Sequence, residues 1–276
     1  MNYAKKSNGK KPLVTSLDRS FKKRVASHFS RAATSYDDVA RLQKRVAAST
    51  MMLLPSSQIP LTILDLGSGT GCQTNVLAKQ YPGSLVVGTD LSSGMVQYAK
   101  SKYSEVCNSV WSIGDIENIP FQSSSFNLVY SSLAIQWCDL QTVIQQVKRI
   151  LKPKGTFIFS TLAEGSISEL RAAWQLVDEG IHINYFPSFF EQKKLLENGS
   201  VQLKALRCQH ETLFYSDTLT LLRELKALGV NAIRLPRKGL MSRKKLKALC
   251  TAYETFREDA GLPLSYKVIY GKIGLL

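Results

Sequence analysis

The sequence predicts an α/β protein built on a doubly wound, mostly parallel β-sheet. Short apolar runs rich in β-branched residues recur along the chain, and they are apolar at both odd and even positions, as strands buried on both faces must be. Helical patterns separate these runs, and strands that alternate with helices of this length favour parallel pairing. The 276 residues, 44% of them hydrophobic, suffice for one such domain with added segments.

The first half of the chain supplies most of the predicted sheet. Residues 1–18 are polar and basic without periodicity, which predicts a flexible tail ahead of a single domain over residues 19–276. Apolar positions at three- and four-residue steps from Phe21 predict one or two helices that end before Pro55. A helix is also expected from Leu140 to Leu151. Strands are expected at residues 62–67, 84–90, 109–113, 125–135 and 156–162.

The pattern changes after Leu162, where helical segments are inserted between further strands. We expect these inserts to lie over the carboxyl ends of the strands or to flank them. The predicted segments are a helical insert over residues 166–180, an aromatic-rich loop over 182–190, strands near 201–215 and 264–276, and two helices over about 216–229 and 242–260.

Composition narrows the classes of function. No apolar run approaches the roughly 18 to 20 residues that span a bilayer, and the N-terminus lacks the apolar stretch of a secretory signal, so a cytoplasmic location without a membrane partner is expected. Five cysteines without a CxxC pair and three histidines give no metal-ligand spacing. The net charge of +15 indicates an acidic partner, or else a solvated tail and a solvated helix face.

The stretch ILDLGSGTG, residues 63–71, joins a predicted strand to a predicted helix through alternating glycines. A phosphate-binding P-loop would need a Gly-Lys-Ser/Thr ending, which is absent. A dinucleotide fingerprint needs its third glycine one residue later than Gly71. A carboxylate fixed at Asp65 would repel a pyrophosphate and attract a cation. S-adenosylmethionine, which carries an ammonium and a sulfonium but no phosphate, fits these requirements.

Two further acidic positions extend this predicted cofactor site. Asp90, 23 residues after Gly67, is placed to accept hydrogen bonds from both ribose hydroxyls. Asp115 is expected to face the adenine amino group, with Ile116 against the ring, although a turn or cap carboxylate is the commoner role of Asp65 or Asp115 taken alone. The predicted cofactor-binding residues are Asp65, Gly67, Ser68, Gly69, Gly71, Asp90, Leu91, Asp115, Ile116 and Ser131.

The order of ILDLGSGTG, VVGTD, GDIENIPF and LKPKG along one α/β pattern resembles the class I S-adenosylmethionine-dependent methyltransferases, whose fold is Rossmann-like. Lys154 replaces the first glycine of the family's usual PGG turn, which lies away from the chemistry. From Phe21 to the C-terminus, FSRAATSYDDVARLQ, SSLAIQWCDL, FSTLAEGSISELRAAW, VDEGIHINYF and LKALGVN resemble the biotin-pathway malonyl-[acyl-carrier protein] O-methyltransferases.

This second resemblance implies an acceptor and a lid. The methyl group would go to the free carboxylate of a malonyl thioester on acyl carrier protein. Helices over about residues 20–54 and helical inserts over about 163–200 and 216–262 would form the lid. An ionised carboxylate needs no general base for in-line attack, so no catalytic acid or base is predicted. The substrate-lining candidates are Tyr36, Gln43, Gln136, Trp137, His182 and Asn184, with Arg171 or Arg31 for the carboxylate.

The basic segment near residue 240 offers a face for the acidic carrier protein, where charge would mainly raise the association rate. The predicted docking residues are Arg237, Lys238, Arg243, Lys244, Lys245 and Lys247, together with the N-terminal lysines. One alternative keeps the methyl donor but changes the acceptor to a small metabolite such as a quinone or phenol. A nucleic-acid-binding protein or RNA methyltransferase is a third hypothesis, although the signature motifs of base methylation are missing.

Overall fold

The computed structural model describes residues 19–56, 61–198, 201–230, 232, 234 and 242–275. Within them, seven strands form one sheet: β1 (Thr62–Leu66), β2 (Leu85–Asp90), β3 (Ser109–Ile113), β4 (Phe126–Ser132), β5 (Leu151–Leu162), β6 (Gln202–Tyr215) and β7 (Leu262–Gly274). The described helices are α1 (Arg19–Ala32), α2 (Tyr36–Val39), α3 (Arg41–Met51), α4 (Cys72–Gln80), α5 (Ser93–Lys102), α6 (Leu140–Ile150), α7 (Ser168–Gln175), α8 (Phe189–Asn198), α9 (Thr218–Ala227) and α10 (Arg243–Glu254).

The strand order across the sheet is β3-β2-β1-β4-β5-β7-β6. Strands β1 to β5 pair in parallel, and β7 pairs antiparallel with both β5 and β6. The prediction of a doubly wound, mostly parallel sheet is therefore confirmed. The chain reverses its direction of progress across the sheet at β1 and β4, and ligands of such sheets bind at the carboxyl ends of the strands beside this point.

Burial on both faces explains why the central strands carry apolar residues at both odd and even positions. Ile63 packs on one face with Leu77 of α4, whereas Leu64 packs on the other face with Val143 of α6. Helix α6 buries one apolar stripe, and Asp139 caps its first turn by accepting a hydrogen bond from the Thr142 amide (2.9 Å). The two faces together hold β1 and β4 in the middle of the core.

Several predicted boundaries were wrong. Strand β4 ends at Ser132, and Ile135–Trp137 form a short 3₁₀ turn. Strand β5 begins at Leu151 directly after α6, so the LKPKG segment is strand, with Lys154 at φ +64°, and not only a turn. Helix α10 ends at Glu254, six residues before the predicted end, because a tight turn pairing Glu258 with Gly261 leads into β7.

Helix α8 begins inside the segment that was predicted as an aromatic loop. Ser188 and Glu191 form a reciprocal cap: the Glu191 amide donates to the Ser188 hydroxyl (3.2 Å), and the Ser188 amide donates to a Glu191 carboxylate oxygen (2.9 Å). Ser-x-x-Glu is a sequence signature of a helix start, so this helix was detectable without the structure. The N-terminal segment likewise contains three helices where one or two were expected.

A close contact between β5 and β7 gives a test of the packing. Gly271 lies opposite Phe159, and a Cβ atom built on Gly271 would overlap the Phe159 ring. Gly271→Ala should lower the free energy of unfolding by about 1 to 3 kcal/mol in urea denaturation, because it overpacks a buried site. In a Phe159→Leu background the same substitution should lower the free energy of unfolding by a smaller amount. An equal cost in both backgrounds would contradict this contact.

Candidate cofactor and acceptor site

The glycine loop between β1 and α4 turns its amides inward. Gly67 has φ +73°, and a Cβ there would overlap Ala134, so both conformation and space require glycine. The amides of Gly67 and Ser68 donate to the Thr89 carbonyl (2.8 and 3.0 Å), and the Gly69 amide donates to Asp90 Oδ2 (2.9 Å). A phosphate-binding loop points such amides at its ligand. In this loop the amides of Gly67, Ser68 and Gly69 already donate to Thr89 and Asp90.

Two carboxylates lie beside this loop at the ends of β1 and β2. Asp65 is buried, and its Oδ2 accepts a hydrogen bond from the Thr74 hydroxyl (2.6 Å). Burial raises the pKa of Asp65 to about 7, the Thr74 hydrogen bond opposes that rise, and the nearby Asp90 adds to it. Burial also raises the pKa of Asp90, against hydrogen bonds from the Ser92 and Gly69 amides. Asp65 is therefore not the fixed charge expected from the sequence, because the ionisation of its carboxyl group depends on its surroundings.

The predicted adenine end of the site is covered by α1. Lys22 forms ion pairs with Asp115 (2.6 Å) and with Glu117 (2.5 Å). Ile116 is buried next to Gly67. Lys22 is a contact that the sequence reasoning did not anticipate, since nothing in its neighbourhood links it to Asp115 before folding.

Two other residues of the predicted cofactor-binding set, Ser131 and Leu91, lie in the sheet and directly after β2. The Ser131 hydroxyl donates to the Leu66 carbonyl (2.8 Å) and is buried between β1 and β4, so it is committed to the sheet. Leu91 is partly buried after the end of β2, next to Ser92, whose hydroxyl caps α5 by accepting a hydrogen bond from the Met95 amide (3.2 Å).

Helix α2 joins the N-terminal segment to the glycine loop. Asp37 Oδ1 accepts a hydrogen bond from the Thr70 hydroxyl (2.7 Å), and Asp37 Oδ2 pairs with Lys102 of α5 (2.6 Å). A small cavity of about 70 Å³ lies between α2, α3 and the loop. Its lining includes Tyr36, Gln43, Asp65, Gly67, Ser68 and Gly69.

A second cavity of about 780 Å³ adjoins the first and is the size of a typical ligand pocket. The structure brings six of the predicted substrate-lining residues to it: Tyr36, Gln43, Gln136, Trp137, His182 and Asn184. Tyr36 and Gln43 line both cavities, so the two share a wall. Trp137 lines the cavity and also packs against Phe21 and Phe29.

Neither of the two arginines proposed for the carboxylate lies in the wall of this cavity as the described residues form it. Arg171 Nη2 donates to the Asn184 carbonyl (3.0 Å), and burial lowers the pKa of its guanidinium. Arg31 is exposed, and its Nε donates to the Ser27 carbonyl within α1. Arg171 therefore supports the backbone of Asn184 from outside the cavity wall.

The sequence reasoning missed several residues of the larger cavity. Arg24, His28 and Phe29 of α1 line it, and they follow the same three- and four-residue steps as the apolar stripe of that helix. Arg24 and His28 are polar and lie beside that stripe, so a search for apolar positions alone does not find them. Trp174 and Tyr266 also line it.

His182 is held firmly in the wall. Its ring stacks on Trp174 with the ring centroids 3.7 Å apart, and its Nε2 lies 2.5 Å from Asp178 Oδ1. Asp178 also pairs with Lys245 of α10 (2.7 Å), and the bonds from Lys245 and His182 hold the pKa of Asp178 well below its usual range.

Three buried polar atoms on residues of the larger cavity have no hydrogen-bond partner among the described residues: Gln43 Oε1, Gln136 Oε1 and His182 Nδ1. Buried polar atoms are rarely left unpaired unless a ligand or water completes them. Among the same described residues, no group of His, Cys, Asp and Glu could hold a metal ion, and no helix is long and apolar enough to cross a membrane.

Comparison with known proteins places the chain in a family. A family model described as a methyltransferase domain matches residues 64–159. A malonyl-[acyl-carrier protein] O-methyltransferase of Gallionella capsiferriformans is 35% identical over 91% of this chain and 89% of its own length. The chain belongs to the malonyl-[acyl-carrier protein] O-methyltransferase family. It is also 39% identical, over 94% of its length, to a biotin biosynthesis bifunctional protein BioHC of Cellvibrio japonicus, but spans only 50% of that longer protein.

Solved structures agree with this assignment at the level of the fold. The YcgJ protein of Bacillus subtilis superposes with a TM-score of 0.61 at 17% identity, over 83% of this chain and 97% of that one. A geranyl diphosphate C-methyltransferase of Streptomyces coelicolor, solved with S-adenosyl-L-homocysteine, superposes with a TM-score of 0.57 at 15% identity, over 93% and 98%. The predictions of the methyltransferase fold and of the family are confirmed.

The raised pKa of Asp65 predicts a stability that depends on pH. Its folded pKa of about 7 lies above the unfolded value near 3.9, so the folded state binds more protons between these values. Stability should therefore fall as pH rises from about 4 to about 7, by up to about 4 kcal/mol for this one group. Urea denaturation between pH 5 and pH 8 should show that Asp65→Asn loses this decline.

Asp217 supplies the matched control. Hydrogen bonds from the Thr220 amide and hydroxyl lower the pKa of Asp217 to about 2, so its folded and unfolded values both lie below the pH range tested. Asp217→Asn should leave the slope between pH 5 and pH 8 unchanged. If Asp65→Asn and the wild type show the same slope, the carboxylate ionises in the folded state with an ordinary pKa.

Proposed function

We propose that this protein transfers a methyl group from S-adenosylmethionine to the free carboxylate of a malonyl thioester on acyl carrier protein, forming a methyl ester for biotin synthesis. The observation that carries this proposal is the wall shared by two cavities. A donor at the glycine loop and an acceptor in the larger cavity would meet at Tyr36 and Gln43. The names of the relatives support the choice of acceptor.

The methyl donor, when bound, would supply an electrophilic methyl group on a positively charged sulfur. The residues at the loop suit such a donor. Asp90 would accept hydrogen bonds from the ribose hydroxyls, and Asp115 with Ile116 would bound the adenine. The loop amides that Thr89 and Asp90 already engage leave no nest for a phosphate. The ionised form of Asp65 would be favoured by a cationic neighbour.

The acceptor requires no proton transfer. A malonyl carboxylate is ionised at neutral pH, so its oxygen can attack the methyl group directly while the bond from carbon to sulfur breaks and S-adenosylhomocysteine leaves. The side chains of Leu133, Leu162, Ile167 and Leu170 line the larger cavity and would strip water from that oxygen. Alignment by Tyr36 and Gln43 would add the advantage of proximity. His182 would then position the acceptor and not act as a base, because an ionised carboxylate has no proton to remove.

The carrier protein would dock close to the cavity entrance. Arg243, Lys244, Lys245 and Lys247 are exposed on the first turns of α10, and Leu246 between them lines the larger cavity. Opposite charge on an acidic carrier would speed association. The other proposed docking residues, Arg237 and Lys238, lie outside the described residues, as does the basic tail over residues 1–18.

Transfer of labelled methyl from S-adenosylmethionine to malonyl carrier protein tests the proposal. The product should be a base-labile ester, and acetyl carrier protein, which lacks the free carboxylate, should take up no label. Absence of label on the malonyl thioester, together with transfer to a quinone, a phenol or RNA, would replace this acceptor with one of the alternatives.

The role of Asp90 predicts an effect on donor affinity. Asp90→Asn should weaken S-adenosylmethionine binding by about tenfold to a hundredfold in calorimetric titration, because hydrogen bonds to a charged acceptor are lost. Asp259→Asn, at an exposed turn, is the matched control and should bind normally. Unchanged affinity in the Asp90 variant, with its fold intact by circular dichroism, would place the ribose elsewhere.

His182 distinguishes a positioning role from a basic one. His182→Gln should reduce kcat/KM for the malonyl thioester by no more than about tenfold, whereas loss of a general base typically costs about 10² to 10⁴. The pH profile of kcat/KM between pH 6 and pH 8 should keep its shape. A thousandfold loss with a missing acidic limb would make His182 a base and would contradict the direct attack.

A further inference from the structure

Helix α9 forms one side of the entrance to the larger cavity. Leu219, Leu222, Arg223 and Lys226 all line the cavity, at the three- and four-residue steps of one helix face. Of these, Leu219, Arg223 and Lys226 are exposed to solvent as well. The two cations therefore stand where the cavity opens, while the residues deeper in its wall, such as Leu162 and Leu170, are apolar and buried.

The charges of Arg223 and Lys226 are available to a ligand. They are three positions apart on the helix, so their Cβ atoms lie roughly 5 to 6 Å from each other. The carboxylate between them, Glu224, is occupied elsewhere: it pairs with Arg41 (2.9 Å) and accepts a hydrogen bond from the Tyr215 hydroxyl (2.8 Å). No carboxylate among the described residues pairs with Arg223 or Lys226.

Helix α1 places one further cation, Arg24, in the wall of the same cavity. Arg24 and His28 of α1 also line the cavity, and Arg24 Nη2 donates to the Arg234 carbonyl (3.1 Å), which fixes its guanidinium there. Cations at the entrance and an interior lined mainly by apolar side chains, with a few uncharged polar ones, suit a ligand that has an anionic group at its outer end and a mostly uncharged chain inside. A cavity of about 780 Å³ is far larger than a malonyl unit requires.

We propose that Arg223 and Lys226 bind the phosphate of a phosphopantetheine arm whose thioester end reaches Tyr36 and Gln43. The inference rests on the proposed function, because it takes the acceptor to be a malonyl thioester. It assigns the phosphate, which carrier protein and coenzyme A thioesters share, to α9. The basic residues of α10 would then contact the surface of the folded carrier protein and not the phosphate.

Three acceptors separate these contacts: malonyl-pantetheine, which has no phosphate, malonyl-phosphopantetheine, and malonyl carrier protein. The variant is Arg223→Gln with Lys226→Gln, since glutamine keeps the helix propensity of the exposed positions. Lys79→Gln with Lys100→Gln removes the same charge from exposed residues of α4 and α5 away from the cavity and serves as control. Thermal unfolding checks that all variants are folded.

We expect the ratio of kcat/KM for malonyl-phosphopantetheine to that for malonyl-pantetheine to fall on the order of tenfold in the α9 variant, and to stay at the wild-type value in the control. An unchanged ratio overturns the inference. If the ratio is unchanged and only KM for the carrier protein rises, the cations contact the carrier surface and not the phosphate. If the wild type methylates none of the three acceptors, the proposed function itself fails.

Discussion

The pair of carboxylates beside the glycine loop, Asp65 buried and Asp90 partly buried, is the constraint on which the site depends. Asp65 and Asp90 lie near the ends of adjacent parallel strands, where the register pairs Asp65 with Gly88 and places Asp90 two residues further along β2. Burial of ionised acids is unfavourable, so it raises the pKa of both carboxyl groups, and the charge of Asp90 raises that of Asp65 further. A ligand with positive charge would relieve that cost, whereas a pyrophosphate would increase it.

The N-terminal helices complete the site that these carboxylates begin. Lys22 reaches Asp115, Asp37 reaches Thr70 of the glycine loop, and Tyr36 and Gln43 line both cavities. The segment before the first strand therefore contacts the predicted donor site at both ends. On the proposed function, this cover would exclude water from the reacting carboxylate, and the entrance near α9 and α10 would admit the acceptor arm.

The sequence was informative wherever chemistry is local, and less so where it depends on tertiary contacts. Alternating glycines, strand periodicity and the spacing of Asp65 and Asp90 predicted the sheet and the loop. Helix α8 was missed although its Ser188 cap is a local signal. The pairing of Lys22 with Asp115, and the placement of Arg171 behind Asn184, join residues far apart in the chain, so periodicity could not show them.

Proton release on binding tests the central claim most directly. At pH 7, titration of S-adenosylmethionine into the protein, measured calorimetrically in buffers of different ionisation enthalpy, should release about half a proton more from the wild type than from Asp65→Asn. The ligand's own ammonium also titrates near pH 8. Any proton that it releases is the same for both proteins, so the difference between wild type and variant reports Asp65. Equal proton release from the two proteins would contradict the account, because Asp65 would then not respond to the charge of the ligand.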